Sequence, residues 1–248
     1  MKNNIVSALV LAFLLCGGCA AMEESHNKAT YHYQMGQSYL AERNYTKALV
    51  ELTEAEKLMP DDPDLLNRLG LAYYFKGKYE LAEQKYLKAL ELRPVFSDAR
   101  NNLGVNYLEM RRWDDAIKQF NTVTDDLFFQ NHDDACMNLA LAYHGKGDNA
   151  TALTMLRPVV ARNPKNAAAH LNLGRIYNAD ERVDLAIAEF KKAVELNRDY
   201  ATAHYYLGLA YLKQKNISLA LKAFNEVVRI VPDAEIGQLS KEYVDMLK

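Results

Sequence analysis

The feature that most constrains this chain is a repeat. Six two-residue steps, Met35-Gly36, Leu69-Gly70, Leu103-Gly104, Leu139-Ala140, Leu173-Gly174 and Leu207-Gly208, recur at spacings of 34, 34, 36, 34 and 34 residues. Three residues after each small residue stands a tyrosine: Tyr39, Tyr73, Tyr107, Tyr143, Tyr177 and Tyr211. Twelve after it stands an alanine, Ala48, Ala82, Ala116, Ala152, Ala186 or Ala220, and four further on a large apolar residue, Leu52, Tyr86, Phe120, Leu156, Phe190 or Phe224. The large residue, its small neighbour and the tyrosine share one helical face at i, i+1 and i+4. Gly or Ala lets a second helix approach closely, and the alanine of that helix accommodates the approach from its own side. Pro60, Pro94, Pro164 and Pro232 end the second helix, since proline cannot donate a backbone hydrogen bond. A hairpin of this size cannot bury its apolar face alone, so neighbours must stack.

These are the tetratricopeptide positions, and the resemblance covers residues 29 to 234. It implies an all-α fold, a right-handed superhelical solenoid of six tetratricopeptide repeats (helical hairpins) with a C-terminal capping helix. The repeats are expected at 29–62, 63–96, 97–130, 133–166, 167–200 and 201–234, with Gly77 and Gly147 at turns between helices. Residues 235–248 form the cap, with Ile236, Leu239, Tyr243 and Leu247 on one face. The 36-residue spacing marks a disturbed joint after repeat three, where Asp125 to His132 replace the closing proline. There Phe128 and Phe129 are either a plug filling the joint or an exposed contact.

The amino terminus differs in character. A basic start at Met1-Lys2, an apolar run from Ile5 to Leu15 and small residues from Gly17 onward have the order of a secretory signal, and the run is too short to span a bilayer. Cys16-Gly17-Gly18-Cys19 resembles a bacterial lipobox. That resemblance implies a signal peptide at 1–18, lipidation of Cys19, a tether at 19–28 and residence on the periplasmic face of the outer membrane. Ordinary cleavage near Ala20 or Ala21, releasing a soluble periplasmic protein, is the alternative. Nine residues from Ala20 to Lys28 reach roughly 30 Å fully extended, so a lipidated chain would hold its first repeats near the membrane.

Chemistry is sparse. With 30 basic and 32 acidic residues, nothing in the charge favours nucleic acid. No phosphate-binding glycine loop, zinc spacing or nucleophile elbow occurs. The expectation is no enzyme, no catalytic residue, no metal, no cofactor and no small-molecule substrate. His170 and His204 occupy one slot, three before the leucine, which His32, Leu66, Arg100 and Cys136 fill elsewhere; this recurrence marks interhelical packing. Cys136 reads as a small packing residue. His132 with Asp133 and Asp134 offers metal-binding atoms, but paired aspartates before a helix read more simply as N-caps, as do Asp61-Asp62 and Asp114-Asp115.

In arrays of this family the inner groove is lined by positions three before and one after the small residue. These are Tyr33, Gln37, Asn67, Leu71, Asn101, Val105, Met137, Leu141, Leu171, Arg175, Tyr205 and Leu209. Most are large and apolar, which fits an amphipathic or extended apolar partner segment; the plainer reading has some of them packing against adjacent repeats. Lipobox, short tether, six repeats and the Asp126-Leu127-Phe128 stretch together resemble the type IV pilus pilotin family of PilF, PilW and Tgl. That resemblance implies a protein-binding scaffold that promotes assembly and localisation of the secretin channel, with a secretin subunit as partner. The rival readings are a general periplasmic adaptor for cell-envelope or outer-membrane assembly complexes, and an export chaperone or tail-recognition module.

Overall fold

The computed structural model describes residues 24–126 and 128–248; the expected signal peptide, Cys19, the alternative cleavage positions and Leu127 lie outside them. The described residues are helical hairpins and turns, with no strand among them. The chain divides into two compact units, Met1–Met110 and Arg111–Lys248. The first contains α1 (24–41), α2 (Tyr45–Leu58), α3 (Pro63–Phe75), α4 (Tyr79–Leu92) and α5 (Ser97–Glu109). The second contains α6 (Trp113–Thr124), α7 (His132–Lys146), α8 (Asn149–Arg162), α9 (Ala167–Ala179), α10 (Val183–Leu196), α11 (Ala201–Lys213), α12 (Ile217–Ile230) and α13 (Glu235–Leu247).

The small-to-large pairing seen in the sequence is the packing rule of the hairpins within each unit. A Cβ built on Gly70 would lie 2.5 Å from the Tyr86 ring, on Gly174 2.5 Å from the Phe190 ring, and on Gly208 2.7 Å from the Phe224 ring. Gly36 stands in the same relation to Leu52, at 2.5 Å. Each large residue is therefore seated directly on the bare backbone of the partner helix, and Leu52, Tyr86, Phe190 and Phe224 are all essentially inaccessible to solvent. Where the first helix carries Ala140 instead, the residue sixteen later is Leu156, smaller than a ring, and both are fully buried. Close packing of this kind leaves no room for an added methyl group without a compensating loss.

The turn inside each repeat is equally regular. One residue per repeat lies in the left-handed region: Arg43, Gly77, Arg111, Gly147, Glu181 and Lys215, with φ between 56° and 92°. In five of them the residue after it donates its N–H back to the carbonyl of the repeat tyrosine, as in Asn44 to Tyr39 (2.8 Å), Lys78 to Tyr73 (2.9 Å) and Asn216 to Tyr211 (2.9 Å). This six-to-one bond is the Schellman closure of a helix end. Glycine occupies the position only twice, so four repeats carry the strain of a side chain there.

Helix starts differ from expectation in part. Asp62 caps α3, accepting from the Leu65 N–H at 2.9 Å. Asp114, Asp115, Asp133 and Asp134 instead sit in the first turns of α6 and α7, where the helix dipole favours them. Three of these four meet cations: Asp114 pairs with Lys146 (2.6 Å), Asp115 with Arg112 (2.7 Å) and Asp133 with Arg162 (2.5 Å). Four further caps are Asn44, Asp148, Asn166 and Asn216, which accept from the N–H groups of Lys47, Thr151, Ala169 and Leu219.

In the disturbed joint Phe128 is 94% exposed and Phe129 half-buried, so Phe128 is not a plug. The Phe128 N–H is held by the Asp126 side chain (3.0 Å), which fixes a local turn rather than a buried wedge. What fills space between α6 and α7 is Trp113, whose ring lies where a Gly145 Cβ would be, at 2.6 Å. The C-terminal helix buries Gly237, Ser240 and Val244, flanked by half-buried Ile236, Tyr243 and Leu247. Leu239, expected on that face, is exposed. The correction has a steric cause: Gly237 packs against the Val231–Pro232 backbone just after α12, and Tyr243 then stacks on Phe224 with ring centroids 4.7 Å apart.

Candidate groove of the first helices

In the first unit the candidate surface is the face shared by α1 and α3. Gln37, Leu40 and Ala41 of α1 and Arg68 and Leu71 of α3 line a cavity of about 400 Å³. The i, i+3, i+4 spacing brings Gln37, Leu40 and Ala41 onto one stripe, and i, i+3 does the same for Arg68 and Leu71. Tyr33 is half-buried and packs on the core formed by Ala48, Leu52, Leu65 and Leu69. Burial pushes the Tyr33 phenol above its ordinary pKa, opposed by its hydrogen bond to Arg68. Asn67 is buried and accepts a hydrogen bond from Asn102 at 2.9 Å, which joins α3 to α5. Asn101 and Val105 are half-buried on α5.

In the second unit the corresponding residues come from α7, α9 and α11. Leu141 and Leu209 are half-exposed, and Arg175 lies over the ring of Tyr206 with 5.3 Å to its centroid. Tyr205 turns toward the C-terminal cap, meeting Phe224 and Tyr243 edge-on at 5.9 and 6.4 Å. Met137 and Leu171 are buried in the core cluster of this unit. Asn67, Met137 and Leu171 thus offer almost no surface, because first helices are covered both by their own second helix and by the next repeat. Arg68, Leu40 and Ala41 were missed. Their signal was helix geometry: a face comprises neighbouring rows, and only two rows were counted.

The histidines bridge elements. His32 Nδ1 lies 2.7 Å from Glu51 and His170 Nδ1 2.6 Å from Glu189, both i to i+19 across a hairpin. His170 Nε2 and His204 Nε2 reach the carbonyls of Pro164 and Arg198, at 3.0 and 2.9 Å. His132 binds the Thr124 carbonyl at 3.1 Å. Burial raises the Cys136 thiol pKa, the opposite of nucleophile activation. Among the described residues no group of three or more His, Cys, Asp or Glu is arranged to hold a metal ion.

Comparison with known proteins agrees with this geometry. Models described as tetratricopeptide repeat match residues 33–95, 101–152, 143–189 and 201–234, and one described as TPR repeat matches 174–215. The chain is 25% identical over 158 residues to the type IV pilus assembly protein PilF of Pseudomonas aeruginosa, covering 64% of this chain and 59% of that protein. It is 34% identical over 84 residues to the peroxisomal targeting signal receptor of Candida albicans, of which it spans 14%. Among solved structures, Pseudomonas aeruginosa PilF superposes with a TM-score of 0.68 at 17% identity, over 88% of this chain and 99% of that one. PilW, described as a widely conserved type IV pilus biogenesis factor, gives 0.75 at 18% identity, over 85% and 97%. At those identities the structural likeness speaks for the fold alone. All-α hairpins, the 34-residue period and the matched models together make this chain a tetratricopeptide repeat protein, one that resembles the pilus biogenesis factors PilF and PilW.

Proposed function

We propose that this protein is a non-enzymatic scaffold of the outer membrane, anchored through a lipidated Cys19, that holds a type IV pilus secretin subunit while the channel assembles. The observation that carries the reading is the cavity of about 400 Å³ on the α1–α3 face, which brings together Gln37 and Leu71 from the expected lining. Its size falls within the range of about 300–1,000 Å³ typical of ligand sites. Sequence likeness to a protein described as a type IV pilus assembly protein supports the choice of machine. The mechanism is binding without bond-making: a partner segment docks on first helices near the membrane, and its local concentration rises there.

The test is the amount of SDS-resistant secretin multimer in the outer membrane of the host bacterium with and without this gene. Deletion is expected to reduce multimers at least tenfold, with full restoration by the wild type and poor restoration by Cys19→Ala. Unchanged multimers after deletion would sink the secretin reading and favour a general periplasmic adaptor. Full activity of Cys19→Ala would remove the lipid anchor from it.

A further inference from the structure

We infer that the α1–α3 cavity takes a partner segment in which a large aliphatic side chain lies within two residues of a carboxylate, the first filling the cavity and the second binding Arg68. The inference deepens the protein-binding reading and rests on it, but it requires no particular partner. Three of the five lining residues, Leu40, Ala41 and Leu71, are apolar, and two, Gln37 and Arg68, carry N–H donors. An apolar floor beside a donor pair suits one aliphatic side chain with an anionic group nearby; a free inorganic anion would leave the floor unused.

Charge complementarity sets the sign. Several basic residues of this unit have acidic partners: Lys57 with Glu54 (2.5 Å), Lys85 with Glu56 (2.6 Å), Lys88 with Asp61 (3.0 Å) and Arg93 with Asp64. Arg68, on the cavity, is not one of them. Asp64, one helical turn before it, would be its natural partner, yet both Asp64 oxygens are engaged by Arg93, at 3.2 Å from Nη1 and 2.6 Å from Nη2. Asp62, the other acid nearby, caps the α3 N-terminus. Among the described residues Arg68 makes no ion pair, and its residue is exposed, with the half-buried Tyr33 phenol feeling its charge. A planar, exposed guanidinium without an acidic partner, beside an apolar floor, suits a carboxylate.

Panning a randomised dodecapeptide library on the full chain tests this. Enriched peptides are expected to carry Asp or Glu within two residues of Leu, Ile or Met. Arg68→Glu should weaken those peptides about tenfold or more and bind their Asp/Glu→Lys versions better than wild type does. Leu71→Ala should weaken acidic and Asn/Gln-substituted peptides by the same factor, a few-fold. Arg68 is exposed, so the variant is expected to fold, and an unchanged thermal unfolding curve verifies that. Enriched peptides without the acidic residue, or an equal loss of acidic and neutral peptides on Arg68→Glu, would overturn the inference while leaving protein binding intact. No enrichment at all would overturn it together with segment binding. The secretin assay is blind to all of these outcomes, so the two readings can fail separately.

Discussion

Truncating Phe190 to alanine is expected to cost about 3–5 kcal/mol of unfolding free energy, among the largest effects of any single substitution in the second unit. The ring is fully buried and sits on the bare backbone of Gly174. The complementary change, Gly174→Ala, drives a methyl group to 2.5 Å from that ring and should cost about 1–3 kcal/mol through overpacking. Combining Gly174→Ala with Phe190→Leu reproduces the Ala140–Leu156 pair that the fourth repeat already uses. The double variant is therefore expected to be more stable than the sum of the singles predicts, by about 1 kcal/mol. Urea denaturation of the four proteins measures this coupling. Strict additivity would mean that the small and large positions are not paired as described.

The second large effect concerns the C-terminal cap, and here the sign decides. Gly237 packs so closely that an added Cβ would lie 1.9 Å from the Val231 carbonyl oxygen, a backbone atom that cannot swing aside. Gly237→Ala is therefore expected to destabilise by about 3 kcal/mol or to undock α13, uncovering Phe224 and Val244. Were α13 free of α12, the same substitution would stabilise it by about 1 kcal/mol, because alanine is the better helix former. Amide exchange along α13 separates the cases: faster exchange in the variant supports docking through Gly237, and slower exchange contradicts it.

Much of this was legible in the sequence, for a physical reason. A spacing of sixteen between Gly174 and Phe190, or Gly208 and Phe224, survives in one dimension because both partners lie on rigid helices joined by a turn of fixed length. The turn itself was half legible. Gly77 and Gly147 advertise a left-handed residue, whereas Arg43, Arg111, Glu181 and Lys215 adopt the same conformation with no compositional mark; at Arg43, Glu181 and Lys215 the bond from the next residue back to the repeat tyrosine holds it. The N-terminal aspartates were read as caps because charge near a helix start is favourable in either role; only the fold reveals that Asp133 faces Arg162 across a hairpin. The capping helix misled at Leu239 because an apolar stripe was assumed to mark contact, while the closest contact is made by Gly237.

The groove was the least legible part. Residue identity marks Leu71 and Leu171 alike as apolar lining, yet Leu171 is 5% exposed and Leu71 lines an open cavity. The difference lies in how tightly the flanking repeats close over each position, which no local pattern records. Arg68 was overlooked for a related reason: its meaning comes from Asp64 being already engaged by Arg93, a residue 29 positions away from that aspartate.

The most direct test of the scaffold account is photo-crosslinking in the living host. A benzophenone amino acid replaces Leu71, on the cavity, or Leu87, which is 47% exposed on the second helix of the same repeat. The account predicts an adduct with a secretin subunit at position 71 and none at position 87. Adducts at 87 alone, or no secretin adduct at 71, would contradict it.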